Sequence, residues 1–176
     1  MSNVRSLFAG LRDAKVTERG VWLREGLYEV RVKRGFYKIT RAKGDAFILE
    51  FTIEKSNYED AKRKAVTALG NTPYDMMALE KMLPNQAGTS ASWYQALKDK
   101  DVGFGALKGF CAAILGEKPE DPKFLEEVEG FMAAVCDDGV INGMLIPVEV
   151  VQVKTRENKD FSRHNWGKII QLAATA

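Results

Sequence analysis

The chain has 176 residues, 45% hydrophobic and 28% charged, with a formal net charge of +2. That balance excludes a disordered or fibrous chain, and the length suits one domain burying roughly 70% of its unfolded surface. No apolar run approaches the ~20 residues of a membrane span, and the opening MSNVRSLFAGLRDAK lacks the apolar region of a signal peptide.

The net charge conceals a division. Residues 1–55 hold 12 basic and 7 acidic residues, residues 56–144 hold 9 and 14, and residues 145–176 hold 5 and 3. Both ends are basic and the middle is acidic, so a polyanionic partner is expected to touch the ends. Cys111 and Cys136 lie far apart in helical-looking apolar stretches. They read as reduced core thiols of a cytoplasmic protein.

In chain order, residues 1–25 form a lead-in in which Leu7, Phe8 and Leu11 make a short amphipathic turn. Leu27–Val32 alternates strictly, with Tyr28, Val30 and Val32 on one face, which predicts a half-buried strand. Gly35 interrupts the β-prone Phe36–Thr40 and marks a bulge or bend, as small barrels need. After the basic turn Arg41–Asp45, Ala46–Ile53 is a second strand with Phe47, Leu49, Phe51 and Ile53 on one face.

Asn57 caps a helix over Tyr58–Leu69, and Pro73 opens a mixed segment over Tyr74–Leu83. Thr89–Tyr94 reads as a third strand. Phe104, Leu107, Phe110, Cys111, Ile114 and Leu115 recur at helical spacing, and Gly116 stops them. A second helix starts at Glu120-Asp121-Pro122 and ends at Asp138-Gly139. Residues 117–138 hold 8 acidic and 2 basic residues. Met144–Lys154 is almost continuously apolar and is expected to be buried on both faces. Phe161–Ile170 is the last strand or a pair of short ones.

Three strands, helices, then two strands is the order of an OB-fold, a five-stranded Greek-key barrel in the α+β class with its helices between strands 3 and 4. The reading is one domain over 1–176, with embellishments at 55–87 and 99–139. In such a barrel the ligand groove crosses strands 2 and 3 between the two hairpin loops.

Catalytic motifs are absent. The single histidine, His164, excludes a multi-histidine metal site within one chain, and no phosphate-binding loop or nucleophile elbow occurs. Asp137-Asp138-Gly139 reads as a solvated helix end. The positive signal is the mixture of cations and rings in the two hairpin connections. Lys33–Lys43 holds five cations and two aromatics, and Lys154–Trp166 holds four cations, two aromatics and His164. Cations neutralise phosphates and aromatic faces stack unpaired bases. Arg31, Lys33, Lys38, Arg41, Lys43, Lys154, Arg156, Lys159 and Arg163 are therefore the candidate phosphate contacts. Tyr37, Trp93, Phe161 and Trp166 are the candidate stacking rings, with Trp93 facing either groove or core. Phe47 and Phe51 read as core, Trp22 as packing, and Tyr94 as a weaker stacking candidate.

Several stretches resemble phage-type single-stranded DNA-binding proteins with an OB-fold. They are Leu7-Phe8-x-Gly10-Leu11, Gly26–Val32, Phe47–Ser56, Ser92-Trp93, the helix Leu107–Gly116, Asn142-Gly143 and the final hairpin Val148–Trp166. The order of the motifs, more than any one of them, carries the likeness. It implies sequence-independent cover of single strands during phage replication, recombination or repair in the host cytoplasm, alongside other replication or recombination proteins. It implies no catalysis, cofactor, metal or membrane. Unlike many cellular single-strand-binding proteins, the sequence ends Gln171–Ala176 without an acid. Two other classes stay open: a barrel serving as a protein-interaction or structural module, and a metal-dependent nuclease built on Asp137 and Asp138.

Overall fold

A computed structural model describes residues 22–40, 44–98, 100–154 and 160–170. The strands are β1 (Gly26–Thr40), β2 (Gly44–Ser56), β3 (Ser90–Ala96), β4 (Leu145–Lys154) and β5 (Asp160–Trp166). The helices are α1 (Tyr58–Leu69), α2 (Met76–Met82), α3 (Lys100–Leu115) and α4 (Pro122–Asp137). The strands form one five-stranded antiparallel sheet in the order β3-β2-β1-β4-β5, which makes the fold α+β. The lead-in before Trp22 and the tail Gln171–Ala176 lie outside the described residues.

Inward-facing side chains build the core. Val30 and Val32 of β1, Phe47, Leu49, Phe51 and Ile53 of β2, Trp93 of β3, and Ile146, Val148 and Val150 of β4 are all buried. Although β3 and β5 are the outermost strands, Trp93 and Trp166 lie only 5.2 Å apart between ring centroids. The sheet therefore curls until its two edges meet through side chains. No hydrogen-bonded ladder joins β3 to β5 among the described residues, so the barrel is not closed.

The α3 and α4 helices cover one opening of the curl, with Phe110, Cys111, Ile114, Phe124 and Val135 in the core. The N-terminus of α4 is fixed by Asp121, whose carboxylate accepts from the backbone N–H of Lys123 at 2.9 Å and of Phe124 at 3.4 Å. The C-terminus of α3 is a Schellman turn. Gly116 takes a left-handed φ of 73°. Its N–H donates to Ala113 at 3.1 Å, and that of Glu117 donates to Ala112 at 2.9 Å.

Three expectations change. β4 is not buried on both faces: Leu145 and Ile146 are, but Glu149 and Gln152 face solvent, because β4 lies in an antiparallel sheet with one face on the core. Asn57 does not cap α1. Its side-chain oxygen accepts from the Leu27 N–H at 2.9 Å, tying the helix start to β1. Strand β5 ends at Trp166, and the following backbone leaves the ladder to bond Gly167 N–H to Pro147 and Ile169 N–H to Ile114.

Candidate nucleic-acid interface

The bulge in β1 decides which residues reach the outside. Val32 pairs with Phe51 and Arg34 with Glu50, so Lys33 is an extra residue with no opposite number. A one-residue slip exchanges the two faces of everything beyond it. Gly35 then stands opposite Leu49 and Tyr37 opposite Phe47, on the inward side, while Arg34 and Phe36 turn outward. Gly35 is needed there, since a Cβ would fall 2.8 Å from Val135 of α4 and 3.1 Å from the Phe47 ring.

The outward result is a row across three strands. Phe36 pairs with Ile48 and Ile48 with Tyr94, all half-buried, at about 4.8 Å from strand to strand. Trp22, 63% exposed, extends the row by meeting Tyr94 edge-on at 6.3 Å. Arg34 lies over the Phe36 ring at 4.8 Å. Beside the row stand Arg31, Lys33 and Lys38. Arg31 and Lys33 are already engaged: Lys33 donates to the Ser90 hydroxyl at 2.8 Å and Arg31 to the Gly143 carbonyl at 2.8 Å.

Carboxylates share this face. Glu54 meets Arg31 and Glu50 meets Arg34, each at 2.7 Å through the guanidinium Nε, and Glu29 meets Lys55 at 2.9 Å. The bond to Glu50 holds the Arg34 guanidinium above its ordinary range. Lys38, Lys154 and Arg163 are exposed and make no ion pair among the described residues.

The remaining expected rings separate into two kinds. Phe161 is 55% exposed and points outward on β5, opposite Val153, with Arg163 opposite Val151. Tyr37 is 49% exposed, and its hydroxyl is held on Asp45, which pushes its ionisation up. Trp93 and Trp166 are packing residues. Trp93 is 5% exposed, with Phe47, Phe110, Trp166 and His164 around its ring. Trp166 is packed among Phe51, Phe110, Trp93 and His164. His164 stacks on Trp166, and burial pushes its pKa down to about 4. Cys111 and Cys136 are both free, and burial pushes the Cys111 thiol up to about 12.

Between β3, α3 and β5 lies a cleft of about 450 Å³. Trp93 and Gln95 line one side and Phe161, Arg163 and His164 the other. Four of the expected residues thus meet at this seam: Trp93, Phe161, Arg163 and Trp166. Arg31, Lys33 and Lys38 sit on the outer face of β1. Lys154 stands at the far end of β4, and Arg41, Lys43, Arg156 and Lys159 lie outside the described residues. The β1–β2 tip and the β4–β5 tip extend from opposite ends of the Gly26–Arg31 pairing with Leu145–Val150.

The sequence pattern does not single out Arg34, Phe36 or Ile48 as contacts, and it assigns Trp22 to packing, whereas the structure leaves Trp22 63% exposed. The signal for the first two was Gly35 itself, had the bulge been carried through to a change of face. Asp137 and Asp138 sit exposed at the end of α4. Among the described residues, no group of three or more His, Cys, Asp or Glu side chains is placed to hold a metal ion, and no helix is long and apolar enough to cross a membrane. No protein-family model matches this chain, and no curated protein matches it, so the functional reading rests on sequence pattern and geometry.

Proposed function

We propose that the protein binds single-stranded DNA without sequence specificity and catalyses no reaction. The observation that carries this reading is the outward row Phe36–Ile48–Tyr94–Trp22 with Arg31, Lys33, Arg34 and Lys38 beside it. Rings on β1 and β3, on either side of Ile48 of β2, offer bases a stacking platform, and cations along its border offer the phosphates a track. The strand order supports an OB-type barrel with Greek-key connections, and in that fold this outer surface is where oligonucleotides lie. A single strand would then pass from β1 over β2 and β3 and across the seam to Phe161 and Arg163 of β5.

The biological setting is cover of single strands during phage replication, recombination or repair. Two free cysteines, one deeply buried, support action in the reducing cytoplasm. The test is a titration of labelled oligo(dT), the matching duplex and oligo(U) at two salt concentrations. The expected result is tight binding to oligo(dT), weaker binding to duplex, and affinity falling steeply with salt. Absence of oligo(dT) binding at low salt defeats the reading.

A further inference from the structure

We infer that Glu50 and Glu54 are selectivity-determining residues of this face, standing on Arg34 and Arg31 where phosphates of a bound strand would stand. The inference rests on the single-strand-binding reading. Each carboxylate touches its guanidinium at 2.7 Å through Nε. A carboxylate and a phosphate present similar paired oxygens to that fork, so the two compete for one place. Both pairs are partly open to solvent, with Arg34 62% and Glu50 31% exposed at the side chain, and Arg31 34% and Glu54 40%. They are therefore exchangeable rather than locked.

Two consequences follow from exchange. When an arginine leaves its carboxylate for a phosphate, the phosphate gives up a condensed cation while the freed carboxylate draws one from solution, so the net release of ions is smaller than at a free cation. The salt dependence of binding is then shallower than the number of cations on the face implies. The remaining negative charges also act on the nucleic acid itself. Duplex DNA carries one charge per ~1.7 Å of axis, is denser than a single strand, and cannot splay its bases onto the rings. The carboxylates repel it more than they repel a single strand, whose stacking on Phe36 and Tyr94 offsets the exchange. Glu50 and Glu54 thus lower affinity for every polyanion and raise the preference for unpaired strands.

The experiment compares the wild-type full chain with Glu50→Gln, Glu54→Gln and the double variant. Labelled oligo(dT) and the matching duplex are titrated at four salt concentrations, and thermal melting checks folding. Glu126→Gln on the exposed face of α4 serves as a control of equal charge change. The expected result is about two- to fivefold tighter oligo(dT) binding per substitution. The salt slope should steepen by up to about 0.7 per released arginine, and the single-strand preference should fall. If wild type binds oligo(dT) but Glu50→Gln and Glu54→Gln leave slope and preference unchanged, the inference fails and the single-strand reading stands. If Glu126→Gln has the same effect, net charge is the cause and the inference fails. If wild type does not bind oligo(dT), both fall.

Discussion

The two faces of one sheet carry rings to different ends. Inside the curl, Trp93, Phe110, His164 and Trp166 lie 5.1–6.1 Å apart where they touch and stop up the seam between the edge strands. Outside it, Phe36, Tyr94 and Trp22 spread across the surface with cations among them. The residue types are similar; among the strand residues Trp93, Trp166, Phe36 and Tyr94 the side of the strand differs, while Phe110 enters from α3 and Trp22 precedes β1. Burial turns a ring into packing, whereas a position on the outer face between cations leaves it partly open to solvent. Which fate a residue meets is set by strand register, not by its identity.

The largest effect that would break this comparison is on the inner side. Trp166→Ala removes a ring packed on Phe51, Trp93 and Phe110. It is expected to cost about 3 kcal/mol, the low end for truncating a large packed aromatic because Trp166 is only partly buried, read as a shift in urea midpoint. A loss below about 1 kcal/mol, together with a large loss of oligo(dT) affinity, would move Trp166 from packing to binding.

His164 gives the inner cluster a pH limit. Its folded pKa is about 4 against an ordinary 6.5, with burial as the cause and a smaller opposing effect from its hydrogen bond to the Ser162 backbone. The unfolded chain thus takes up the proton first. Stability from this group is complete above about pH 6.5, declines as pH falls toward 4, and changes no further below it. The loss approaches about 3 kcal/mol at the low end, since each pKa unit is worth about 1.4 kcal/mol. Urea unfolding at pH 7.5 and 4.5 reads it. His164→Phe should remove most of the difference, and an unchanged difference would place its origin in other groups.

A smaller effect lies just past the bulge that separates the faces, at Gly35 opposite Leu49. Gly35→Ala would drive a methyl to 2.8 Å from Val135 and 3.1 Å from the Phe47 ring, so α4 must shift. The expected cost is about 2 kcal/mol in unfolding free energy, typical of overpacking. An alanine tolerated without loss would show that α4 is not pressed against β1 as described.

That same glycine marks where the sequence stopped being legible. Strand and helix order could be read from alternation and helical spacing, and Pro122 and Gly116 signalled true helix ends. The course of β1 could not. Alternation from Tyr28, Val30 and Val32 carries Phe36 inward and Tyr37 outward, and the extra residue at Lys33 reverses both. Tyr37 stands out in the sequence because it adjoins cations, a neighbourhood that says nothing of the face it occupies. Likewise Trp93 and Trp166 adjoin polar residues in sequence, yet the curl brings them together from the two ends of the sheet. Contacts between edge strands depend on curvature, which local pattern does not encode. The pairing of Arg31 and Arg34 with Glu54 and Glu50 was hidden for the same reason, because cross-strand neighbours are 16 and 23 residues apart in the chain.

The sharpest test of that reversal is a pair of adjacent alanines. Phe36→Ala removes a ring from the outward row, where a base would stack under the proposed function, and Arg34 loses the face it covers. The expected loss of oligo(dT) affinity is about 1 kcal/mol, the low end for a single stacking ring, because Phe36 is half-buried and presents only part of its face. Tyr37→Ala, one residue on, removes a ring that shares the inward side with Phe47 and ties its hydroxyl to Asp45. It should leave oligo(dT) affinity within about twofold and lower thermal stability instead. Fluorescence titration and melting on the two variants separate the cases. If Tyr37→Ala weakens binding and Phe36→Ala does not, the strand lies on the other side of β1, and the ligand track belongs at the open end of the curl beside α4.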